Sequence, residues 1–232
     1  MRLFAIGDLH LPGGDDKPMD VFGSQWDRHF FRIRENWLRL VREEDTVLIP
    51  GDISWAMQLA DAKADLDEIG RLPGRKVLCK GNHDYWWNSI SRVRSILHPS
   101  MIALQHSAAD IGEAVVCGTR GWMIPTGEAP LDAQNEKICR REAERLRLAL
   151  DSAAKMTEGR PLAVMMHYPP LLATEKDTIF TEILEEYRVN TVVYGHLHGA
   201  GIQIGFTGEH NGISYHLVSC DSIGFEPKEI IL

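Results

Sequence analysis

Residues Val192 to Gly199 read VVYGHLHG: an apolar, β-like run, then a glycine and two histidines one residue apart, His196 and His198. A lone histidine at a strand end is ordinarily a satisfied surface or core residue. Two at i and i+2 point to the same side of an extended backbone. The flanking glycines let the main chain approach something closely. A metal ion is one candidate, and its remaining ligands must come from elsewhere in the chain.

The same pattern recurs upstream. RLFAIGDLH ends in Asp8 and His10, TVLIPGD in Asp52, KVLCKGNHD in Asn82, His83 and Asp84, and LAVMMHYPP reaches His167. Each apolar run is continuous rather than alternating, as expected of strands covered on both faces. Helical patterns lie between them. Ile179, Phe180, Ile183, Leu184 and Tyr187 form one amphipathic stripe, and Trp26, Phe30, Ile33 and Trp37 another. Asp132 to Lys155 reads as a solvated helix with Ile138, Leu146 and Leu150 facing inward. This alternation predicts βαβ units and a largely parallel sheet. The tail differs: GIQIGFTGEHNGISYHLVSC, from Gly201 to Cys220, reads as two strands joined by a turn at Glu209 to Gly212, so a mixed or second sheet is expected.

Bulk properties narrow the function. A chain of 232 residues, 44% hydrophobic and 25% charged, suffices for one sizeable core, and a single domain over 1–232 is expected. The net charge of −8 argues against a broad nucleic-acid or acidic-membrane footprint, short oligonucleotides excepted. No apolar run approaches the ~20 residues of a membrane span, and Gly7 and Asp8 interrupt the first run too early for a secretory leader. Cys79, Cys117, Cys139 and Cys220 form no CxxC. A reducing, cytoplasmic setting is therefore expected.

In open α/β sheets, ligands gather beyond the carboxyl ends of the strands, so these scattered residues can converge. Asp8, His10, Asp52, Asn82, His167, His196 and His198 offer more donors than one tetrahedral zinc uses. They suit two adjacent divalent ions sharing a carboxylate. The ions' charge exceeds that of Asp8 and Asp52, leaving a cationic site for an anionic ester such as a phosphate. Ligands of this type without cysteine leave manganese, iron and zinc, with manganese placed first.

The ordered motifs Asp8-Leu9-His10, Gly51-Asp52, Gly81-Asn82-His83-Asp84, His167 and Gly195-His196-Leu197-His198 resemble those of the calcineurin-like metallophosphoesterases. The resemblance implies a sandwich of two mixed β-sheets flanked by helices. It implies a first metal on Asp8, His10 and His198, a second on Asn82, His167 and His196, and Asp52 bridging them. His83 would contact the phosphate or protonate the leaving oxygen, with Asp84 orienting its imidazole, and hydrolysis would proceed by a metal-bridging hydroxide. The expected substrate is a small-molecule or nucleotide-like phosphate mono- or diester. A protein Ser/Thr phosphatase is disfavoured, because that branch carries Asp-Arg-Gly after its GD motif and GNHE, where this chain has Gly51-Asp52-Ile53-Ser54-Trp55 and GNHD. A repair-type nuclease finds little support in the charge, and a non-catalytic scaffold would have lost ligands. The resemblance does not extend to oligomeric state.

Other residues leave choices open. Arg120, after the run AVVC, is either a phosphate contact beside Asn82 and His83 or a structural salt bridge. Tyr85, Trp86 and Trp87 either wall a pocket or belong to the core. Lys80 points away from the site, and His29, His98, His106, His210 and His216 receive no role. Asp15, Asp16 and Asp20 read as a solvated loop rather than a further cation site. Substrate choice is expected to lie between Leu11 and Trp37 and around Arg120 and Trp122.

Overall fold

The computed structural model describes residues 1–14, 19–127 and 129–232. Strands β1 (Leu3–Ala5), β2 (Thr46–Ile49) and β3 (Arg75–Leu78) are predicted runs that pair in parallel in a first sheet, and β4 (Met101–Ala103), which the sequence reading did not mark, extends it in parallel. Helices α1 (His29–Leu40), α2 (Leu59–Gly70) and α3 (Ile90–Ile96) intervene. The second sheet contains β5 (Ala108–Asp110), β6 (Val115–Thr119), β7 (Leu162–Met166), β8 (Thr191–Tyr194), β9 (Gly208–His210) and β10 (Ile213–Leu217). Helices α4 (Ala133–Ala154) and α5 (Ile179–Glu186) cover it. The last strand, β11 (Lys228–Ile230), returns antiparallel to β1. Strand orders are β11-β1-β2-β3-β4 and β5-β6-β7-β8-β10-β9. Antiparallel pairings occur at one edge of the first sheet and both edges of the second, so both sheets are mixed.

Continuous apolar runs have a direct use here, because each strand faces two layers. Leu3, Ala5, Leu48 and Val77 meet Val116, Ala163, Met165 and Val193 between the sheets. The alternate residues Phe4, Val47 and Ile49 face the helices of the first half, and Val164, Met166, Val192 and Tyr194 those of the second. The result is a helix–sheet–sheet–helix sandwich.

Three local expectations need correction. Trp26 does not share a helix with Phe30, Ile33 and Trp37: it lies in a short 3₁₀ turn, and left-handed Arg28 (φ 49°) separates that turn from α1. The segment Gly199–Ile204 is a 3₁₀ turn rather than a strand, so the hairpin contains only β9 and β10 about Asn211-Gly212. In α5, Ile179 at the first turn is exposed, while Phe180, Ile183 and Leu184 are buried. Asp15 and Asp16 lie outside the described residues, and Asp20 is exposed. No helix among the described residues is long and apolar enough to cross a membrane, and all four cysteines are buried and free.

Candidate metal centre

The two sheets are laced together where their strands end. The Gly7 amide donates to Val218 O (2.7 Å), and Cys220 N donates back to Gly7 O (3.1 Å). Asp8 N donates to Gly51 O and His10 N to Asp52 O, each at 3.0 Å, so the loops after β1 and β2 are locked in register. Beyond those ends the backbone is forced into the left-handed region at Asp8 (φ 58°), His10 (46°), Asp52 (50°) and His196 (73°). Such residues are uncommon outside glycine and cluster at functional sites. The glycines beside them are steric requirements. A Cβ on Gly195 would stand 2.2 Å from Asp8 Oδ2, and one on Gly81 2.1 Å from Asp52 Oδ1.

All seven residues expected as ligands converge on this edge. Asp8, His10 and His198 form one group of donor atoms, and Asp8, Asp52 and His167 another, the atoms of each lying within 4.8 Å of one another. Asp52 Oδ2 lies 3.9 Å from His10 Nε2 and 3.5 Å from His167 Nε2, a position between the two groups. His167 Nδ1 donates to Pro50 O (3.0 Å), which leaves a lone pair on Nε2. That nitrogen faces Asn82 Oδ1 at 2.6 Å and His196 Nδ1 at 3.2 Å. His198 Nδ1 is held by Asp221 Oδ1 (2.8 Å), so its buried Nε2, unpartnered, points at Asp8 Oδ1 3.4 Å away. The His167 Nε2 lone pair thus faces the oxygens of Asn82 and Asp52, and acceptors facing acceptors in a buried site are unfavourable unless a cation lies among them. This donor set therefore fits divalent metal.

The extended-backbone reading of His196 and His198 is overturned. β8 stops at Tyr194 and His196 is left-handed, so the two rings diverge, one toward His167 and the other toward Asp8.

Electrostatics follow the same geometry. Burial would raise the Asp8 carboxyl, but the adjoining His198 imidazole holds it well below the ordinary range. Burial and the Asp8 charge push Asp52 up to about 8. Burial lowers His10 to about 3, and burial with His167 nearby lowers His196 to about 4, which keeps both rings neutral and able to ligate. Although burial opposes it, His198 rises to about 10 beside Asp221 and Asp8. A cation on Nε2 would replace that proton.

Asp84 does not touch the His83 ring. Its fully buried carboxylate accepts from Ile53 N, Ser54 N, Gly81 N and Trp86 Nε1 at 2.8–3.2 Å, and these donors saturate it. It is a clamp between the Asp52 and Asn82 loops. Burial and the Asp52 charge push it up to about 6. The His83 amide donates to Asp52 Oδ1 (2.8 Å), and its half-buried ring lies 4.5 Å from that of Trp55. Both rings line a cavity of about 300 Å³ with Trp26, Met19, His10 and Asp52.

Arg120 stays outside this cavity. Its guanidinium pairs with Glu142 (3.1 Å) and covers Trp122, while its carbonyl accepts from His167 N and Tyr168 N. Of the two alternatives for Arg120, the structure forms the salt bridge. Trp86 and Trp87 are core residues and only Tyr85 is exposed. Lys80 turns away, donating to Trp87 O (2.8 Å).

Residues 1–200 match the family model of the calcineurin-like phosphoesterases. The chain belongs to that family. As a calcineurin-like phosphoesterase it has the expected fold and belongs to a metal-dependent class of phosphoester hydrolases. Solved structures share the architecture. Phosphopantetheinyl hydrolase (PptH) from Mycobacterium tuberculosis is 14% identical over 99% of this chain and 95% of its own, with a TM-score of 0.61. A protein of unknown function, AQ665 from Aquifex aeolicus, is 15% identical over 98% and 95%, with a TM-score of 0.52. At such identities the likeness is one of fold. No curated protein matches the sequence.

Two residues of this phosphoesterase edge escaped the sequence reading. Asp221 lies beyond the family match, yet it ends another apolar run, HLVSC, as the other acids do. Trp55 follows GDIS and carried no signal of its own, since a tryptophan after a strand is ordinarily core.

Proposed function

We propose that this chain hydrolyses a small-molecule or nucleotide-like phosphate ester with two divalent metal ions, manganese first and iron or zinc next. The observation that carries the reading is the buried lone pair of His167 Nε2 facing the oxygens of Asn82 and Asp52, with His196, Asp8 and His198 gathered around it. Asp8, His10 and His198 would hold one ion and Asn82, His167 and His196 the other, with Asp52 shared. Such a pair supplies Lewis-acid clamping of phosphoryl oxygens and a water of lowered pKa.

The protein does the rest. Pro50 O and Asp221 fix the tautomers of His167 and His198, so that Nε2 of each ring faces inward. Asp84 keeps the Asp52 and Asn82 loops from parting. His83 lines the cavity and would give the departing oxygen its proton. Trp26, Trp55 and Met19 offer an apolar wall for the organic part of the ester, in a cavity at the small end of ligand pockets.

The test is turnover of a chromogenic phosphodiester and a matched monoester by protein stripped and reloaded with Mn²⁺ or Zn²⁺. The reading expects turnover of at least one ester that requires metal, and its loss in Asp52→Asn. Full metal loading with no turnover of either ester contradicts it.

A further inference from the structure

A second polar cavity, of about 160 Å³, lies away from the metal-ligand cluster, where the ends of β3 and β6 meet α4. Lys80, Arg120 and Arg145 line it together with Glu142, Thr119 and His106, and none of the metal-ligand set does. Glu142 is almost fully buried and already engaged on both oxygens. It accepts from Thr119 Oγ1 (3.0 Å), Arg120 Nη2 (3.1 Å) and Arg145 Nη1 (2.6 Å). Two cations pair with this one carboxylate and a third, Lys80, lines the same cavity, which leaves a surplus of two positive charges on the lining residues.

Donors remain as well as charge. The Arg120 Nε is buried and has no hydrogen-bond partner. Arg145 uses Nη1 on Glu142, and Lys80 uses one of its three N–H bonds on Trp87 O. Converging like charges are costly in a half-enclosed cavity, and the shortage here is of negative charge. At ~30 Å³ per water the space equals about five waters, room for a tetrahedral oxyanion with a small substituent. Two guanidiniums and an ammonium are well matched to such an anion.

We infer that this cavity is a binding site for a phosphate-class oxyanion, separate from the metal-ligand cluster. It is independent of the hydrolysis proposed above, since it draws on no residue of that machinery.

The experiment is calorimetric titration of the full-length protein with sodium sulfate, using sodium chloride at matched ionic strength as the blank. Wild type is compared with Arg145→Gln and Arg145→Glu, which alter a partly exposed side chain on α4 and leave Arg120 on Glu142. Wild type should bind sulfate saturably. Arg145→Gln should bind it about tenfold or more weakly, and Arg145→Glu should not bind it at this site. Chromogenic ester turnover and the melting temperature without sulfate should stay unchanged in Arg145→Gln. No saturable binding beyond the chloride blank, or a sulfate affinity within threefold of wild type in both variants, would overturn the inference.

Discussion

The first sheet brings both expected ligand carboxylates to the shared edge, with His10 and Asn82, and the second brings the other three imidazoles. Asp8 and Asp52, at the ends of β1 and β2, face the cluster directly, and backbone amides hold them: His196 N on Asp8 at 3.1 Å and His83 N on Asp52 at 2.8 Å. His167, His196 and His198 follow β7 and β8, and the acid on that side, Asp221, stands behind His198 rather than in front of it. One half thus carries charge on a backbone frame. The other carries imidazoles whose orientation depends on what lies behind them.

If that division is correct, the largest loss belongs to the shared carboxylate. Asp52→Asn should lower kcat/KM on the order of 10³-fold, the scale of a lost charge-stabilising group, and metal analysis should find both ions depleted. His83→Ala comes next, with a fall of about 10²-fold or more in kcat and metal content unchanged, because its ring faces the cavity and only its amide touches Asp52. Metal loss in His83→Ala would move that residue into the frame. Asp221→Asn sharpens the comparison on the other side. Losing the support of His198 should cost about 10–100-fold in affinity for the first metal and spare the second.

The smallest effect lies away from the edge. His216 on β10 has both ring nitrogens buried and unpartnered among the described residues, and burial, with Lys228 nearby, pushes its pKa down from 6.5 to about 4. Between those values the unfolded chain binds the extra proton. The contribution is therefore fully present above about pH 6.5 and is lost as pH falls toward 4. Because the ring is partly exposed, the loss is about 1–2 kcal/mol after solvent screening. Denaturation midpoints measured across that range should flatten in His216→Leu, and an unchanged slope would refute the assignment.

Much of this was legible in the sequence because strand ends are where it is least ambiguous. A continuous apolar run followed by Gly-Asp or Gly-Asn-His marks both a two-faced strand and its end, so the positions of Asp8, Asp52 and Asn82 could be read directly. The role of Asp84 could not. Adjacency to His83 suggested a side-chain partner, whereas four donors drawn from segments some thirty residues apart in sequence had already claimed the carboxylate. Trp26 misled for a related reason: helical spacing continued across Arg28, but the left-handed turn there did not announce itself in residue type. Tertiary hydrogen bonds and single-residue backbone reversals leave no periodic trace.

The most direct test of a cluster shared by two sheets is to count the ions it holds. Full-length protein equilibrated with Mn²⁺, freed of excess and analysed by atomic emission should contain two ions per chain. His198→Ala should retain one, with the His167 and His196 side intact. A wild-type chain that never exceeds one ion, or a His198→Ala variant that loses both together, would contradict the account.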